Sequence, residues 1–267
     1  QKYEGVSDVV EYYMDELAKA TGRQYKPFSY YGAADAQRVI VAMGSVTECA
    51  EEVVDYLTAR GEKVGILKVH LYRPFDTKKF LASMPKTVQK IAVLDRTIEQ
   101  GALYEPLCLD VQSVYYNSKQ APLIVGGRYG LSSKDTTPDL INAVYTNLKQ
   151  EEPKDHFTLG INDDIKYTSL SVTESIDVAD PTTTELLFFG LGSDGTVGAC
   201  KNISKIVGDY TEFYSQSYAA YDSKKSGGST RLHLRFSKKP IRSTYLVIQP
   251  HFVSCTLDAY LVKFDMI

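Results

Sequence analysis

Residues 186–202 read LLFFGLGSDGTVGACKN. An apolar run meets Gly190, Gly192 and Gly195 at G-x-G-x-x-G spacing, and a segment of helical character follows. On its own that spacing is a weak signal; with a strand before it and a helix after it, it becomes a candidate anion site. Glycine lets the backbone approach a phosphate closely, and the amides that open a helix favour negative charge. The bland alternative is a tight turn with no ligand.

A nicotinamide dinucleotide needs an acid at the end of the next strand to accept its ribose hydroxyls. That strand ends AAYDSKKSGG, which supplies Asp222 but follows it at once with Lys224, Lys225, Gly227 and Gly228. Twin cations beside a glycine turn suit a phosphate better than a diol. Two anion sites in neighbouring loops match a ligand with separated phosphates, which leaves coenzyme A and NADP open. A solvated basic turn is the competing reading.

Further cations stand at Arg235, Lys238, Lys239 and Arg242, around a turn expected at Pro240. They are read as a solvated loop, or as charge facing an acidic partner or another domain. Arg73, Arg96 and Arg128 each follow a short apolar run, as does Asp95. They therefore lie at the carboxyl edge of a sheet, where open α/β sheets bind ligands. Without a nucleophile–base pair beside them, ion pairing to a neighbouring domain or subunit is preferred. No Ser-His-Asp order, H-E-x-x-H or callable carboxylate pair occurs, so no catalytic residue and no metal ligand is assigned.

The elements that must hold these residues are legible from periodicity. Residues 1–22 place Val9, Val10, Tyr13 and Leu17 at helical spacing, with Gly22 as a stop. A polar, Tyr-rich connector leads to Val39. Then RVIVAMG, VGILKVHL, KIAVLDR and APLIVGGRYG read as strands, alternating with four helical segments; Ser45 caps the first of these helices and Gly61 stops it. Near-continuous apolar strands alternating with helices imply a doubly wound parallel sheet. Residues 150–183 break the rhythm and read as an extended linker, packed in places by Phe157, Leu159 and Ile161. A second α/β unit begins at Thr184: strand, a helix stopped by Gly208, an aromatic strand, the alternating strand TRLHLRFS, and a last strand STYLVIQP ended by Pro250. This unit is expected to be truncated, and the chain to be a cut-out of a longer polypeptide.

Bulk properties narrow the classes. The chain has 267 residues, 43% of them hydrophobic, and a net charge of −3. That suffices for two packed domains and removes a global basic field for nucleic acid. No apolar run approaches the length of a membrane helix. The four cysteines (Cys49, Cys108, Cys200, Cys255) stand alone, without C-x-x-C or zinc spacing, and fit a reducing compartment.

The runs RVIVAMGS, GEKVGILKVHLYRPF, IAVLDRT, GGRYGLSSKD, HFTLGINDD, GLGSDGTVGACKN, YDSKKSGGST, LHLRF and PIRSTYLV resemble, in order, those of pyruvate:ferredoxin (flavodoxin) oxidoreductase. Family members are large multidomain enzymes that use thiamine diphosphate and [4Fe–4S] clusters to turn pyruvate and coenzyme A into acetyl-CoA and carbon dioxide, reducing ferredoxin or flavodoxin. The resemblance implies that residues 1–175 are a transketolase C-terminal-like domain II with linker, and residues 184–267 the N-terminal part of a coenzyme A-associated domain III. It selects coenzyme A over NADP and carries that role onto Gly195, Thr196, Val197, Lys224 and Lys225. It also implies other domains of the parent as partners, a homodimeric parent, and a location in cytoplasm or a reducing organelle such as a hydrogenosome. Thiamine and cluster motifs are expected outside this chain, which alone should not turn over pyruvate. An NADP-binding dehydrogenase module and a purely structural docking pair are the alternatives. The chain departs from the family pattern at Ile98 (usually Lys), Gln100 (usually Pro) and Cys200 (usually Asn).

Overall fold

The computed structural model describes residues 3–222 and 228–266. The chain divides into two compact units, Gln1–Val178 and Ala179–Ile267.

The first unit opens with helix α1 (Val6–Thr21), closed by Gly22 in the left-handed region at φ 72°. The expected apolar stripe is there, but Val9, Tyr13 and Leu17 on it are exposed rather than packed. The opposite side of α1 is held by charge: Lys79 lies 2.7 Å from both Asp8 and Glu11, and Lys26 lies 3.0 Å from Glu11 and 2.8 Å from Asp15.

The alternating elements follow as β1 (Phe28–Gly32), β2 (Arg38–Ala42), α2 (Val46–Thr58), β3 (Val64–Val69), α3 (Thr77–Ser83), β4 (Lys90–Asp95), α4 (Pro106–Tyr115), β5 (Leu123–Arg128), α5 (Pro138–Lys149) and β6 (Phe157–Thr158). The sheet order is β1-β3-β2-β4-β5-β6, parallel except for β1. Successive strand residues point to opposite faces. One set (Val39, Val41, Leu67, Val69, Ile91, Val93) is buried with Phe80 of α3 and Leu107 and Val111 of α4. The alternate set (Ile40, Ile66, Ala92) is equally buried, and α2 and α5 pack against the sheet and each other. This is the doubly wound arrangement that the alternation predicts.

Two segments differ from expectation. The Tyr-rich connector contains β1, an antiparallel edge strand anchored by buried Phe28. The linker is partly built into the fold: Phe157 and Leu159 are fully buried, β6 extends the sheet, and Thr158 bridges to Ser169. Ser45 stands at the N-cap of α2 without a side-chain capping bond.

The second unit holds β7 (Thr184–Leu191), α6 (Thr196–Tyr210), β8 (Tyr214–Tyr221), β9 (Ser229–Ser237), β10 (Phe252–Cys255) and α7 (Ala259–Lys263). Its sheet order is β10-β7-β9-β8, with β10 and β7 parallel and the other pairs antiparallel. Cys200, Val197 and Ile203 of α6 pack on Leu232 and Leu234 on one face. Leu187 and Phe189 pack with Tyr260 and Phe264 on the other. Gly208 lies inside α6 rather than ending it. The expected strand STYLVIQP is not one: residues 243–250 run irregularly, and the strand is β10, just past Pro250.

Candidate anion-binding site

The glycine loop connects β7 to α6. A Cβ at Gly190 would lie 2.5 Å from Thr196 Oγ1 and 2.7 Å from Thr196 Cβ, so glycine is what allows the helix start to fold back on the strand. Gly195 is the N-cap of α6, in the left-handed region at φ 92°. Between them lies Asp194. Its Oδ1 accepts from the Thr196 backbone N–H at 2.8 Å; its Oδ2 accepts from the Leu191 N–H and from Thr256 Oγ1, each at 2.8 Å. Burial alone would raise its pKa, but the bonds from Thr196, Thr256 and Leu191 outweigh it and hold the carboxyl at about 2.

The loop thus supplies its own carboxylate to part of the helix terminus. The Ala199 N–H bonds the Gly195 carbonyl at 3.0 Å. Of the four amides that open this helix without an intrahelical partner, the Asp194 carboxylate takes that of Thr196 and not those of Gly195, Val197 and Gly198. A Cβ on Gly195 or Gly198 would meet nothing within 4 Å.

The residues predicted from sequence fall as follows. Gly195 sits at the mouth of the loop. Thr196 is buried against β7, with its amide spent on Asp194. The Val197 side chain is half-buried against Cys200, Leu232 and Leu234, which leaves its backbone amide as the group a ligand can use. Lys224 and Lys225 lie outside the described residues, as does Gly227. Their flanks are described: the Asp222 N–H bonds the Ser229 carbonyl at 3.1 Å, and the Gly192 N–H bonds the Gly228 carbonyl at 3.0 Å. The glycine loop and Gly228 are therefore neighbours. The sequence reading missed Asp194 and Thr256. An Asp just before a helix start is a legible capping signal; Thr256 is 62 positions away and carries none.

On the sheet face away from α6, the expected loop cation Arg235 is instead buried. Its Nε lies 2.5 Å from Glu185 Oε1, and its Nη1 donates to the carbonyls of Ser243 (3.2 Å) and Tyr245 (2.7 Å) and to Gln216 (3.0 Å). Buried His233 Nδ1 accepts from the Val247 N–H at 3.1 Å, so the ring is neutral with its proton on Nε2. Burial, then the charges of Arg231 and Arg235, push its pKa down to about 4. These side chains hold residues 243–247 on the sheet in place of a backbone ladder. Lys239 pairs with Asp180 at 2.7 Å.

Two of the three edge arginines form ion pairs, within the unit, while Arg96 Nε donates to the Gly130 carbonyl at 3.5 Å. Arg73 lies 2.7 Å from Asp110, and Arg128 lies 2.6 Å from buried Glu105. Asp95 accepts from the Leu107 and Cys108 amides at 3.0 and 3.1 Å and so caps α4. A cavity of about 400 Å³ opens where β2 and β3 end, between Gly44–Glu48 and Lys68–His70. Lys68 there is 2.5 Å from Glu51, and burial, then the Lys68 charge, lowers the His70 pKa.

Among the described residues no three His, Cys, Asp or Glu side chains gather to hold a metal ion. Cys49, Cys108 and Cys200 are buried, and burial pushes the Cys200 thiol up to about 11. These donors do not fit an iron–sulfur cluster. Among the described residues no helix is long and apolar enough to cross a membrane.

Comparison with known proteins places these two α/β units in a family. Residues 36–141 match the model of pyruvate:ferredoxin oxidoreductase core domain II, and residues 185–265 that of pyruvate ferredoxin/flavodoxin oxidoreductase. The chain is 54% identical over 266 residues to a pyruvate-flavodoxin oxidoreductase of Enterobacter agglomerans, covering 99% of this chain and 23% of the relative. It is 50% identical over 265 residues to a pyruvate:ferredoxin oxidoreductase of Moorella thermoacetica, with the same coverage. A solved 2-oxoglutarate:ferredoxin oxidoreductase from Magnetococcus marinus, with 2-oxoglutarate, coenzyme A and succinyl-CoA bound, aligns at TM-score 0.33 and 21% identity over 46% of this chain and 20% of that one, too slight a likeness to add to fold or ligand. The chain belongs to the pyruvate:ferredoxin (flavodoxin) oxidoreductase family and spans about a quarter of the length of the curated relatives it matches.

Proposed function

We propose that this chain serves a pyruvate:ferredoxin (flavodoxin) oxidoreductase as scaffold and coenzyme A-holding module. In this reading residues 1–175 are the transketolase C-terminal-like domain II and its linker, and residues 184–267 begin the coenzyme A-associated domain III. The parent, a homodimer, oxidises pyruvate to acetyl-CoA and carbon dioxide and passes the electrons to ferredoxin or flavodoxin. Its thiamine diphosphate and [4Fe–4S] clusters are held by other parts of the polypeptide, and the chain alone does not turn over pyruvate.

The observation that carries the coenzyme A role is the open helix start. The Asp194 carboxylate takes the Thr196 amide and not those of Val197 and Gly198, and the loop's Gly192 N–H bonds the carbonyl of Gly228, three residues after Lys225. Helix N-termini of this kind favour phosphate. Gly195, Thr196 and Val197 shape the cradle, and Lys224 and Lys225 supply countercharge.

The test is calorimetric titration of the chain with coenzyme A, 3′-dephospho-coenzyme A and NADPH at two ionic strengths. Coenzyme A should bind, lose affinity in salt because exposed charges are screened within about 10 Å at 0.1 M, and weaken several-fold in the Lys224→Ala/Lys225→Ala variant. Tighter binding of NADPH would favour a dehydrogenase module. Binding of neither would favour a structural docking pair with a self-capped turn, a reading that the Asp194–Thr196 bond supports.

A further inference from the structure

Thr256 directly follows β10, and its backbone N–H bonds the Phe189 carbonyl at 3.0 Å, beside the parallel pairing of β10 with β7. Its hydroxyl lies 3.3 Å from the same carbonyl and 2.8 Å from Asp194 Oδ2. A hydroxyl has one proton to give, and the shorter, charge-assisted bond to the carboxylate takes it. Asp194 Oδ2 also accepts from the Leu191 N–H at 2.8 Å, and it lies 3.0 Å from where a Cβ on Gly190 would stand. This oxygen is therefore drawn back over the end of β7, into room that the glycine leaves.

That direction matters to α6. A capping acid ordinarily accepts from the second or third amide of its helix. Here Gly195 holds the capping position, and Asp194 stands one residue earlier. Its Oδ1 takes the first amide, that of Thr196. The second and third amides belong to Val197 and Gly198, and they are the ones the coenzyme A reading gives to an anion. A carboxylate in the same loop is their nearest competitor. It is tethered, so it competes at a high effective concentration wherever it can reach.

We propose that Thr256 is a positioning residue for the anion loop: its hydroxyl holds the Asp194 carboxylate on the strand side and so keeps it off the Val197 and Gly198 amides. The consequence for a ligand rests on the coenzyme A reading; the placement of the carboxylate does not. Thr256→Val removes the hydroxyl and leaves the backbone bond to Phe189. Asp194 Oδ2 then keeps only the Leu191 amide of its two partners named above. The carboxylate swings onto the second and third amides, where it displaces an anion and repels it.

Two measurements on the 267-residue chain decide it. The first uses no ligand: exchange of the Val197 and Gly198 amides with water, read by NMR. Both should exchange more slowly in Thr256→Val than in the unaltered chain. Thr256→Ala, which also lacks the hydroxyl, should match Thr256→Val, and Thr256→Ser should restore the unaltered rates. Rates unchanged in the valine and alanine variants would overturn the proposal. The second is calorimetric titration with coenzyme A. Affinity should fall several-fold in Thr256→Val and recover in Thr256→Ser. In an Asp194→Ala background, Thr256→Val should leave affinity unchanged, because no carboxylate remains to be released. An equal loss in both backgrounds would overturn the proposal, since the hydroxyl would then act on the fold or on the ligand itself. If the unaltered chain binds no coenzyme A, the coenzyme A reading falls, and the exchange rates still decide whether Thr256 holds Asp194 in place.

Discussion

Asp194 does at the start of α6 much of what a bound anion would do. Replacing it with Ala should cost the second unit about 1 kcal/mol, the usual value of a lost N-terminal cap. Its folded pKa of about 2 lies below the ordinary 3.8. Its contribution is therefore complete above the higher value and disappears as pH falls through the lower one. His233 works in a different window. Its folded pKa of about 4 lies below the ordinary 6.5. Between those values the unfolded chain binds the extra proton, so stability falls as pH is lowered from 6.5 toward 4, by at most about 1.4 kcal/mol per pH unit from this one group. Urea midpoints across that range, read from amide exchange in β9, should lose this slope in His233→Gln. An unchanged slope would assign it to other groups.

The elements of the first unit were legible because each strand is a short apolar run closed by glycine, arginine or aspartate, and each helix is periodic. What escaped were elements defined by distant partners. FSYYG has no apolar run, and becomes β1 by pairing antiparallel with β3. STYLVIQP has the composition of a strand, yet the Arg235 and His233 side chains take its backbone groups instead. Arg235→Ala should therefore cost about 3–5 kcal/mol, because it leaves Glu185 buried without its cation. The double variant Arg235→Met/Glu185→Met should recover much of that loss by restoring charge balance. Gly190→Ala should be poorly tolerated, since its methyl would lie 2.5 Å from Thr196 Oγ1; thermal unfolding would register this as a lowered midpoint. Of the candidate site, the glycine loop was visible in its spacing. The self-capping by Asp194 and Thr256 depends on β10 lying parallel to β7, which no local pattern encodes.

At the scale of the molecule, each unit has its own core and its own sheet, and the chain covers 23% of the Moorella relative's length. A segment of that share, without metal-ligand clusters among its described residues, should form no acetyl-CoA from pyruvate when given thiamine diphosphate and a viologen dye. Product formation in that assay would overturn the scaffold reading. Helix α1 adds a property of its own. It is moored chiefly by Lys26 and Lys79, while its oily side faces outward. Concentrated brine weakens such moorings while it strengthens the cohesion of apolar interiors. The leading helix should therefore fray, and meet proteases, under conditions in which the rest of the molecule grows firmer.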